Sequence, residues 1–314
     1  MDNVNDFFAT LSSYLWGWPM IVLLLGTHVF LSVRLRFPQR KLFTAIRLSV
    51  QRDKSQKGDV SQFGALATAL AATIGTGNII GVATAVALGG PGAVFWCWLT
   101  GVFGISTKYS EALLAIKYRV KSEKGHMLGG PMYTLERGLG WRKMGILFAV
   151  FTAIAAFGIG CTVQANAIST IMHASYGIST SVSGAVLMLL AAAVILGGVR
   201  SISKVCSMLV PFMALLYVLG CIYILCVNAG YVVPALKLIV NSAFSPEAAG
   251  GGLAGGSVIM AARYGIARGL FSNESGLGSA PIVAAAARTK NPVRQALVSS
   301  TGTFWDTVVI CALT

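Results

Sequence analysis

Eight long apolar segments dominate this sequence, and each approaches the roughly 20 residues that are needed to cross about 30 Å of hydrocarbon. They cover residues 14–34, 64–88, 92–116, 144–171, 181–198, 205–228, 253–287 and 296–314. Hydrophobic residues make up 55% of the chain and charged residues 11%, a composition at which a soluble domain would aggregate. The sequence therefore predicts an all-α polytopic membrane protein with one transmembrane domain, residues 1–314.

The positive charges alternate between successive connections. Eight of the 24 Lys and Arg residues lie within residues 34–57, seven within 117–143, and five within 200–204 and 288–294. The connections between these hold only Lys237. Basic loops remain on the cytoplasmic side, so the pattern predicts the inner membrane of a prokaryote with the amino terminus outside. The net charge of +14 thus reflects topology, and the predicted partner is the lipid bilayer, not nucleic acid.

Two of the apolar segments are predicted to be broken helices. The sequence GTGNIIG, residues 75–81, interrupts the second segment, and GIARGLFSNESGLGSAP, residues 265–281, interrupts the seventh. An unsatisfied backbone amide or carbonyl in hydrocarbon costs several kcal/mol, so a break survives only where protein or a wet cavity uses the freed groups. Paired broken helices are typical of the ion and substrate sites of secondary transporters.

Polar residues near these breaks suit a cation and a zwitterion. A carboxylate at Asp306, in the eighth segment, must face the interior, where a cation or an arginine would offset its desolvation. The Glu274 carboxylate, in the seventh segment, must face the interior for the same reason. Gln164 and Asn166 in the fourth segment supply neutral donors and acceptors for the charged ends of an amino acid. Helix amino ends favour a carboxylate, while carbonyl, Asn and Thr oxygens favour sodium.

Two of these features have a structural alternative. Gly77 and Gly81 form a GxxxG pair, which is common where membrane helices pack closely. Gln164, taken alone, fits an interhelical hydrogen bond.

Charged residues inside the apolar segments also have alternative interpretations. Arg263, Arg268 and Glu274 could form an internal salt-bridge group that acts as a gate or as a structural pair. Lys108 and Glu111, three residues apart, are expected to form a local pair that reaches the inner interface.

The cysteines and histidines form no catalytic pattern. The three histidines, His28, His126 and His173, are scattered over one segment and two loops, so neither a metal cluster nor a nucleophile with its base is predicted, and the chain is not expected to be an enzyme. The cysteines are interpreted as small core residues at positions 97, 161, 206, 221, 226 and 311.

Short polar connections join the segments. Residues 35–61 and 117–143 are basic connectors, and the second is predicted to contain a short interfacial helix at residues 129–140. Residues 231–244 fit a similar helix on the outer side. Both could equally be packing connectors.

Several motifs resemble the alanine/glycine:cation symporter family. The sequence GGPGAVFWCWLTGVFG, residues 89–104, is similar to the signature of that family, although Cys97 replaces the usual methionine and Gly101 replaces Ser, Thr, Ala or Val. The family's other motifs follow in the same order: GTGNIIGVATA, GGPMYTLERGLG, VQAN, RGLFSNESGLGSAP and FWDT. Together the motifs span nearly the whole chain.

The resemblance implies a fold and a function. It implies a sodium- or proton-coupled carrier of alanine or glycine with the leucine-transporter fold of two inverted five-helix repeats after an extra first helix. The extra helix would be residues 14–34, the first repeat 64–228 and the start of the second repeat 253–314. The chain would then hold the first eight or so of eleven helices, with the C-terminal helices missing.

The resemblance also implies the residues of the site. GTGN is similar to the Gly-x-Gly-Asn of sodium-coupled neurotransmitter carriers, in which the Asn oxygen binds sodium. The implied cation-binding residues are Asn78, Ser272, Asn273 and Asp306. The implied substrate-binding residues are Thr73, Gly75, Thr76, Gly77, Asn78, Gln164, Phe271 and Ser272. Sodium, or a proton in its place, is the co-transported ion, and no organic cofactor or other metal is implied.

Other function classes remain open on the same scaffold. A cation channel would also place carbonyls and a carboxylate at the midplane, but it would need an oligomeric ring and a repeated filter loop. A non-transporting amino-acid sensor would share every motif. The identity and chirality of the amino acid and the oligomeric state are not specified by the sequence.

Overall fold

The structure, a computed structural model, describes residues 2–51, 58–244 and 258–314. Nearly all of these residues are helical. The α-helices, in chain order, are α1 (Asp2–Leu15), α2 (Trp18–Arg34), α3 (Leu42–Val50), α4 (Gln62–Thr73), α5 (Val82–Gly89), α6 (Gly92–Lys117), α7 (Pro131–Leu139), α8 (Arg142–Ala155), α9 (Val163–Tyr176), α10 (Thr180–Ile195), α11 (Gly198–Val227), α12 (Ala229–Phe244), α13 (Val258–Asn273), α14 (Ala280–Ala285), α15 (Pro292–Thr303) and α16 (Cys311–Leu313).

Shorter elements complete this series. A hairpin of two antiparallel strands, β1 (Val120–Lys121) and β2 (Met127–Leu128), precedes α7. A 3₁₀ turn, Pro38–Lys41, precedes α3. The π-helical segments of the described residues are Gly77–Gly81, Ala156–Thr162 and Phe304–Ile310. Each π-helical segment runs directly into an α-helix, so it changes which side chains face a neighbour without ending the helix.

The helices of the described residues support a polytopic membrane protein. Those long and apolar enough to cross a bilayer are Asn5–Arg34, Arg142–Tyr176, Gly198–Val227 and Pro292–Leu313. The pair Gln62–Thr73 and Gly77–Gly89, bent by 52°, would be a fifth span. The predicted eight spans are therefore not confirmed. The helix α6 carries three charges, Lys108, Glu111 and Lys117, and α10 and α13 have 16 residues each.

Several predicted boundaries need correction. The first apolar segment is preceded by α1, so the helical region begins at residue 2 and not at 14. The helix α3 and the hairpin lie in the two connectors, residues 35–61 and 117–143, and were not predicted. The short helices expected at 129–140 and 231–244 are confirmed as α7 and α12. Residues 52–57 and 253–257 of the predicted segments lie outside the described residues.

The first break is confirmed. The helix α4 begins after Ser61, whose side chain accepts a hydrogen bond from the Gly64 amide over 2.9 Å, and it ends at Thr73. Ile74 and Gly75 are not helical, and the π-helical segment Gly77–Gly81 then leads into α5. The second apolar segment thus consists of two helices at an angle, joined by exposed backbone groups.

The second break is shorter than predicted. It covers residues 274–279, whereas residues 265–273 belong to α13. Left-handed backbone conformations define it, with φ of +53° at Glu274, +91° at Gly276 and +82° at Gly278. Glycine adopts this region readily and glutamate rarely does, so the two glycines allow the chain to turn here. The earlier glycines of the motif have a different role.

Those earlier glycines bring α13 against α6. A Cβ atom on Gly265 would clash with the backbone carbonyl of Ala93, and one on Gly269 would clash with the Thr100 side chain. Small residues at a membrane helix interface permit this close approach. Leu270 and Ala93 are fully buried at the contact. The helix α6 therefore lies at the centre of the fold, with α13 and α15 packed on it.

The ends of the two broken helices that are remote from the breaks are joined to each other. Val60, just before α4, forms a parallel bridge with Ala287, just after α14. The Asp59 amide donates to the Ala286 carbonyl over 2.8 Å, and the Arg288 amide donates to the Val60 carbonyl over 2.7 Å. We call residues 58–60 and 286–288 the junction.

Side chains reinforce the junction. The buried Asp59 carboxylate accepts a hydrogen bond from the Met127 amide over 2.8 Å and lies 3.1 Å from His126 Nδ1, so it also fixes the hairpin. The Arg119 guanidinium donates to the carbonyls of Ala285 and Ala287, each over 2.8 Å. The junction is thus a polar region in which the loop after α6 holds the ends of both broken helices.

We predict that Gly269→Ala destabilises the protein by about 1–3 kcal/mol, because the added methyl group overpacks the contact between α13 and α6. The matched control is Gly220→Ala in α11, where a Cβ atom meets nothing within 4 Å. Thermal unfolding in detergent, followed by size-exclusion chromatography, measures both variants. Equal melting temperatures for Gly269→Ala and Gly220→Ala would contradict the packing argument.

Candidate functional site

Four buried residues surround the buried carboxyl group of Asp306, and we call the five residues the carboxylate cluster: Asn78, Ser272, Asp306, Thr307 and Cys311. The Asn78 Nδ2 atom donates to Asp306 Oδ1 over 2.8 Å. Ser272 Oγ and Thr307 Oγ1 donate to Asp306 Oδ2 over 2.9 and 2.8 Å. Cys311 Sγ lies 3.3 Å from Asn78 Nδ2 and 3.4 Å from Ser272 Oγ. The carboxyl group therefore receives donors from two distant parts of the chain and from its own neighbour in sequence.

Each member of the cluster is placed by an irregular part of a helix. Asn78 lies in the π-helical segment after the first break, and Ser272 lies in the last turn of α13, next to the second break. Asp306 and Thr307 lie in the π-helical segment Phe304–Ile310. A π-helical turn brings residues five apart onto one side, which is how Cys311 reaches the same site as Asp306.

Asn78 has two roles in this arrangement. Its Oδ1 atom accepts a hydrogen bond from the Gly75 amide over 2.9 Å, so the side chain satisfies a backbone group that the break leaves free. Its Nδ2 atom at the same time points at Asp306. One side chain thus stabilises the break and connects it to the carboxyl group.

The burial of Asp306 makes its partners energetically important. The residue is 0% exposed, and an isolated carboxylate in such a place costs several kcal/mol. The three side-chain hydrogen bonds offset part of this cost. Two of the donors are hydroxyl groups, which can also present a lone pair, so the same oxygen atoms are suited to surround a cation beside the carboxylate.

A second polar patch lies on the other side of the first break. Thr76 Oγ1 donates to Gln164 Oε1 over 2.8 Å, which joins the break to α9. The Gln164 amide also lies against Gly75, where a Cβ atom would be 3.2 Å from Gln164 Nε2. The interhelical hydrogen bond that was the alternative interpretation of Gln164 is therefore present. We call Gly75, Thr76 and Gln164 the glutamine patch.

Comparison with known proteins identifies the family. The sodium:alanine symporter family matches the chain over residues 1–314. The chain belongs to this family. The resemblance found in the sequence motifs is thus confirmed, and the family is one of transporters.

Three relatives each match nearly all of this chain. The chain is 53% identical over 312 residues to the sodium/alanine symporter AgcS of Methanococcus maripaludis. This alignment covers 97% of the chain and 68% of AgcS. It is 52% identical over 314 residues to an uncharacterized transporter of Haemophilus influenzae, covering 99% and 69%. A putative sodium/proton-dependent alanine carrier protein of Bacillus subtilis, YrbD, is 41% identical over 309 residues, covering 98% and 63%.

Arg268 lies against the first break of this symporter-family chain. A Cβ atom on Gly77 or Gly81 would meet the Arg268 guanidinium, so this GxxxG pair accommodates the arginine side chain of the neighbouring helix α13. The guanidinium carbon is 5.4 Å from the centre of the Phe271 ring, and that ring is 5.9 Å from Trp16. Among the described residues, the Arg268 Nε atom has no hydrogen-bond partner.

The predicted salt-bridge group is not formed. In the described part of the chain, no ion pair within 4.0 Å joins Arg263, Arg268 and Glu274. Arg263 lies 5.9 Å from the centre of the Tyr264 ring, and the Glu274 carboxylate accepts a hydrogen bond from the Ser279 hydroxyl. The three side chains thus have separate partners.

Two further predicted site residues lie outside the cluster. The Asn273 side chain accepts a hydrogen bond from the Ser275 amide over 2.9 Å, so it stabilises the second break as Asn78 stabilises the first. Thr73 Oγ1 lies 3.4 Å from the Leu70 carbonyl of its own helix. Of the four predicted cation ligands, the structure brings together Asn78, Ser272 and Asp306.

The prediction that Lys108 and Glu111 pair with each other and reach the interface is wrong. Lys108 is 3% exposed, and its ammonium group donates to the Asn273 carbonyl over 2.7 Å. Glu111 Oε1 accepts a hydrogen bond from the Gly278 amide over 3.1 Å. Both side chains turn from α6 towards the second break, because its free backbone groups offer them partners.

Two members of the cluster were missed by the sequence analysis. Thr307 follows Asp306 in the FWDT motif, and a hydroxyl next to a buried acid is a signal that could have identified it. Cys311 is buried, as its interpretation as a core residue predicts, but its place beside Asp306 was not predicted, since a spacing of five residues does not place two side chains together on a regular α-helix. The interpretation of all cysteines as core residues is wrong for Cys161 and Cys226, which are exposed.

We predict that Asn78→Ala lowers the stability of the protein by about 2 kcal/mol or more, because it removes a donor from a buried carboxyl group and an acceptor from the Gly75 amide. Asn166→Ala, at an exposed position of α9, is the control. Melting temperatures in detergent without sodium measure the effect. The double variant Asn78→Ala/Asp306→Asn should lose less stability than the sum of the losses in the two single variants. Additive losses of stability would contradict a direct interaction between Asn78 and Asp306.

Proposed function

We propose that this chain belongs to a secondary active symporter that couples inward movement of sodium to uptake of a small neutral amino acid, alanine or glycine. The observation that carries the proposal is the carboxylate cluster, in which both broken segments and the π-helical segment Phe304–Ile310 meet at Asp306. The family and the name of its relative AgcS, a sodium/alanine symporter, support sodium and alanine. Because the chain spans about two thirds of AgcS, the activity is proposed for the full-length protein.

The carboxylate cluster is the proposed cation site. Sodium prefers hard oxygen ligands, and the candidates are the Asp306 carboxylate, the hydroxyl groups of Ser272 and Thr307 and the Asn78 amide oxygen. A bound sodium ion would supply a positive charge beside the buried carboxylate and so offset the cost of its burial. The hydroxyl groups, which donate to Asp306 in the structure, would turn their lone pairs towards the ion. Asn273 remains a predicted ligand, with its side chain directed to Ser275.

The first break and the glutamine patch are the proposed substrate site. The backbone amides of Thr76 and Gly77 begin a helical segment, so they favour the substrate carboxylate, while the Gly75 amide of the same break is held by Asn78. Gln164 offers an amide to either charged end and lies against Gly75, while Gly77 lies against the Arg268 guanidinium. The remaining proposed contacts are Thr73, Thr76, Asn78, Phe271 and Ser272. Because Asn78 and Ser272 also belong to the carboxylate cluster, sodium and substrate would bind next to each other.

The proposed transport cycle is alternating access in the leucine-transporter fold. The proposed arrangement is an extra first helix followed by a first repeat within residues 64–228 and the start of an inverted second repeat at 253–314, in an inner membrane with the amino terminus outside. Arg263, Arg268 and Glu274 are proposed as gating or structural charges. A membrane potential of 100 mV contributes about 2.3 kcal/mol for each sodium ion that moves inward.

We predict that proteoliposomes with the full-length protein take up labelled alanine when an inward sodium gradient is imposed. Asp306→Asn should abolish the sodium dependence of uptake, because a neutral amide does not balance the positive charge of the ion. Asp6→Asn, an exposed acid in α1, is the matched control and should behave as the wild type. Uptake driven equally by a proton gradient would change the coupled ion to the proton. Alanine binding without uptake or counterflow would favour a sensor, and non-saturable flux would favour a channel.

We also predict that Gln164→Ala raises the alanine concentration for half-maximal uptake about tenfold, the factor expected for loss of one or two hydrogen bonds to a charged group. The sodium concentration for half-maximal uptake should change less, since Gln164 does not contact Asp306. The comparison uses Asn5→Ala, which changes an exposed amide in α1. If both variants raise the alanine concentration for half-maximal uptake equally, the glutamine patch is not a substrate site.

A further inference from the structure

Lys108 is a buried ammonium group in the middle of α6. Its side chain is almost inaccessible, and its Nζ atom lies 2.7 Å from the Asn273 carbonyl oxygen. A charge inside a membrane protein is expensive, so it is retained where it has a partner and a role. The proposed function gives Lys108 no part in binding sodium or the amino acid.

The partner of Lys108 is the end of a helix. Asn273 is the last residue of α13, and the last four carbonyl groups of an α-helix have no partner within it. The helix dipole also places partial negative charge at this end, which a cation stabilises. Lys108 therefore satisfies both a hydrogen-bond acceptor and a charge that the second break exposes.

The carbonyl held by Lys108 lies next to the proposed sodium site. Ser272 directly precedes Asn273, and its hydroxyl contacts Asp306 over 2.9 Å and Asn78 over 3.2 Å. The position of the Ser272 backbone thus depends on where α13 ends. A shift of this end would move the hydroxyl away from the carboxyl group without any change in the cluster itself.

A second contact from α6 fixes the other side of the break. Glu111, one turn after Lys108, accepts a hydrogen bond from the Gly278 amide. The helix α6 thus presents a cation to the carbonyl end of α13 and an anion to an amide of the loop that follows. The two contacts have the polarity that each end of the break requires, so α6 acts as a rigid support for the broken segment.

We infer that Lys108 is a positioning residue of the cation site, a fixed internal cation that holds the broken end of α13 and thereby sets the Ser272 hydroxyl on Asp306. This inference rests on the proposed function, since it assigns sodium to the carboxylate cluster. It also assigns the carbonyl end of α13 to Lys108 and not to a transported ion. Sodium affinity then depends on a residue that does not contact the ion.

The test measures sodium dependence of alanine uptake for Lys108→Met and Lys108→Gln in proteoliposomes. Lys108→Met should raise the sodium concentration for half-maximal uptake about tenfold or more, the range for loss of a hydrogen bond from a charged group. The maximal rate at saturating sodium should fall less. Lys108→Gln keeps a donor without the charge and should lie between the wild type and Lys108→Met. The control is Lys117→Met, at the exposed end of the same helix.

A readout without transport accompanies this test. In detergent, sodium should raise the melting temperature of the wild type and of Lys117→Met, and the sodium concentration needed should increase in both Lys108 variants. If Lys108→Met is not produced, Lys108→Gln provides both measurements. An unchanged sodium requirement in Lys108→Gln and Lys108→Met would overturn the inference. Absence of any sodium effect on wild-type uptake would instead overturn the proposed function.

Discussion

The hydrogen bond from Asn78 to the buried Asp306 carboxyl group is the interaction on which the site depends. It joins the first broken segment to the π-helical segment Phe304–Ile310, and the Ser272 hydroxyl adds the end of α13 to the same carboxyl group. A carboxyl group excluded from water must find its donors within the protein. The chain meets this requirement only by bringing irregular parts of three helices together, and that arrangement also provides clustered oxygen atoms for a cation.

The two breaks follow one principle, since an asparagine satisfies the backbone at each of them. Asn78 accepts a hydrogen bond from Gly75, and Asn273 accepts one from Ser275. At the second break, this local bond leaves the Asn273 carbonyl and the Gly278 amide without a partner in their own segment. Lys108 and Glu111 of α6 bind these two groups. Close packing of α13 on α6 is what brings these partners within reach. The packing glycines and the polar site are therefore parts of one structural solution.

The features that could be predicted from the sequence alone are those with a high energetic cost in a membrane. A polar run in an apolar segment predicted the first break, and the same cost predicted that Asp306 is buried. The limits of the second break were not predictable, because Gly269, which packs on α6, and Gly276, which turns the chain, are the same residue type. The partner of Lys108 and the place of Cys311 beside Asp306 were not predictable for a related reason. Their roles depend on tertiary neighbours and on a π-helical turn that no periodicity indicates.

The two broken helices are connected at both ends, and the connections differ in chemistry. Near the breaks they share the buried carboxylate cluster, whereas at the junction they share backbone hydrogen bonds and the polar contacts of Asp59. Hydrogen bonds that water can replace contribute only about 0.5–1.5 kcal/mol each, while a buried charge is costly to separate from its partners. The junction also contains a buried carboxylate, that of Asp59, so separating the helices at either end requires a new partner for an acid. In the proposed function, sodium would supply this partner at the carboxylate cluster, whereas at the junction the Met127 amide and His126 hold the carboxylate.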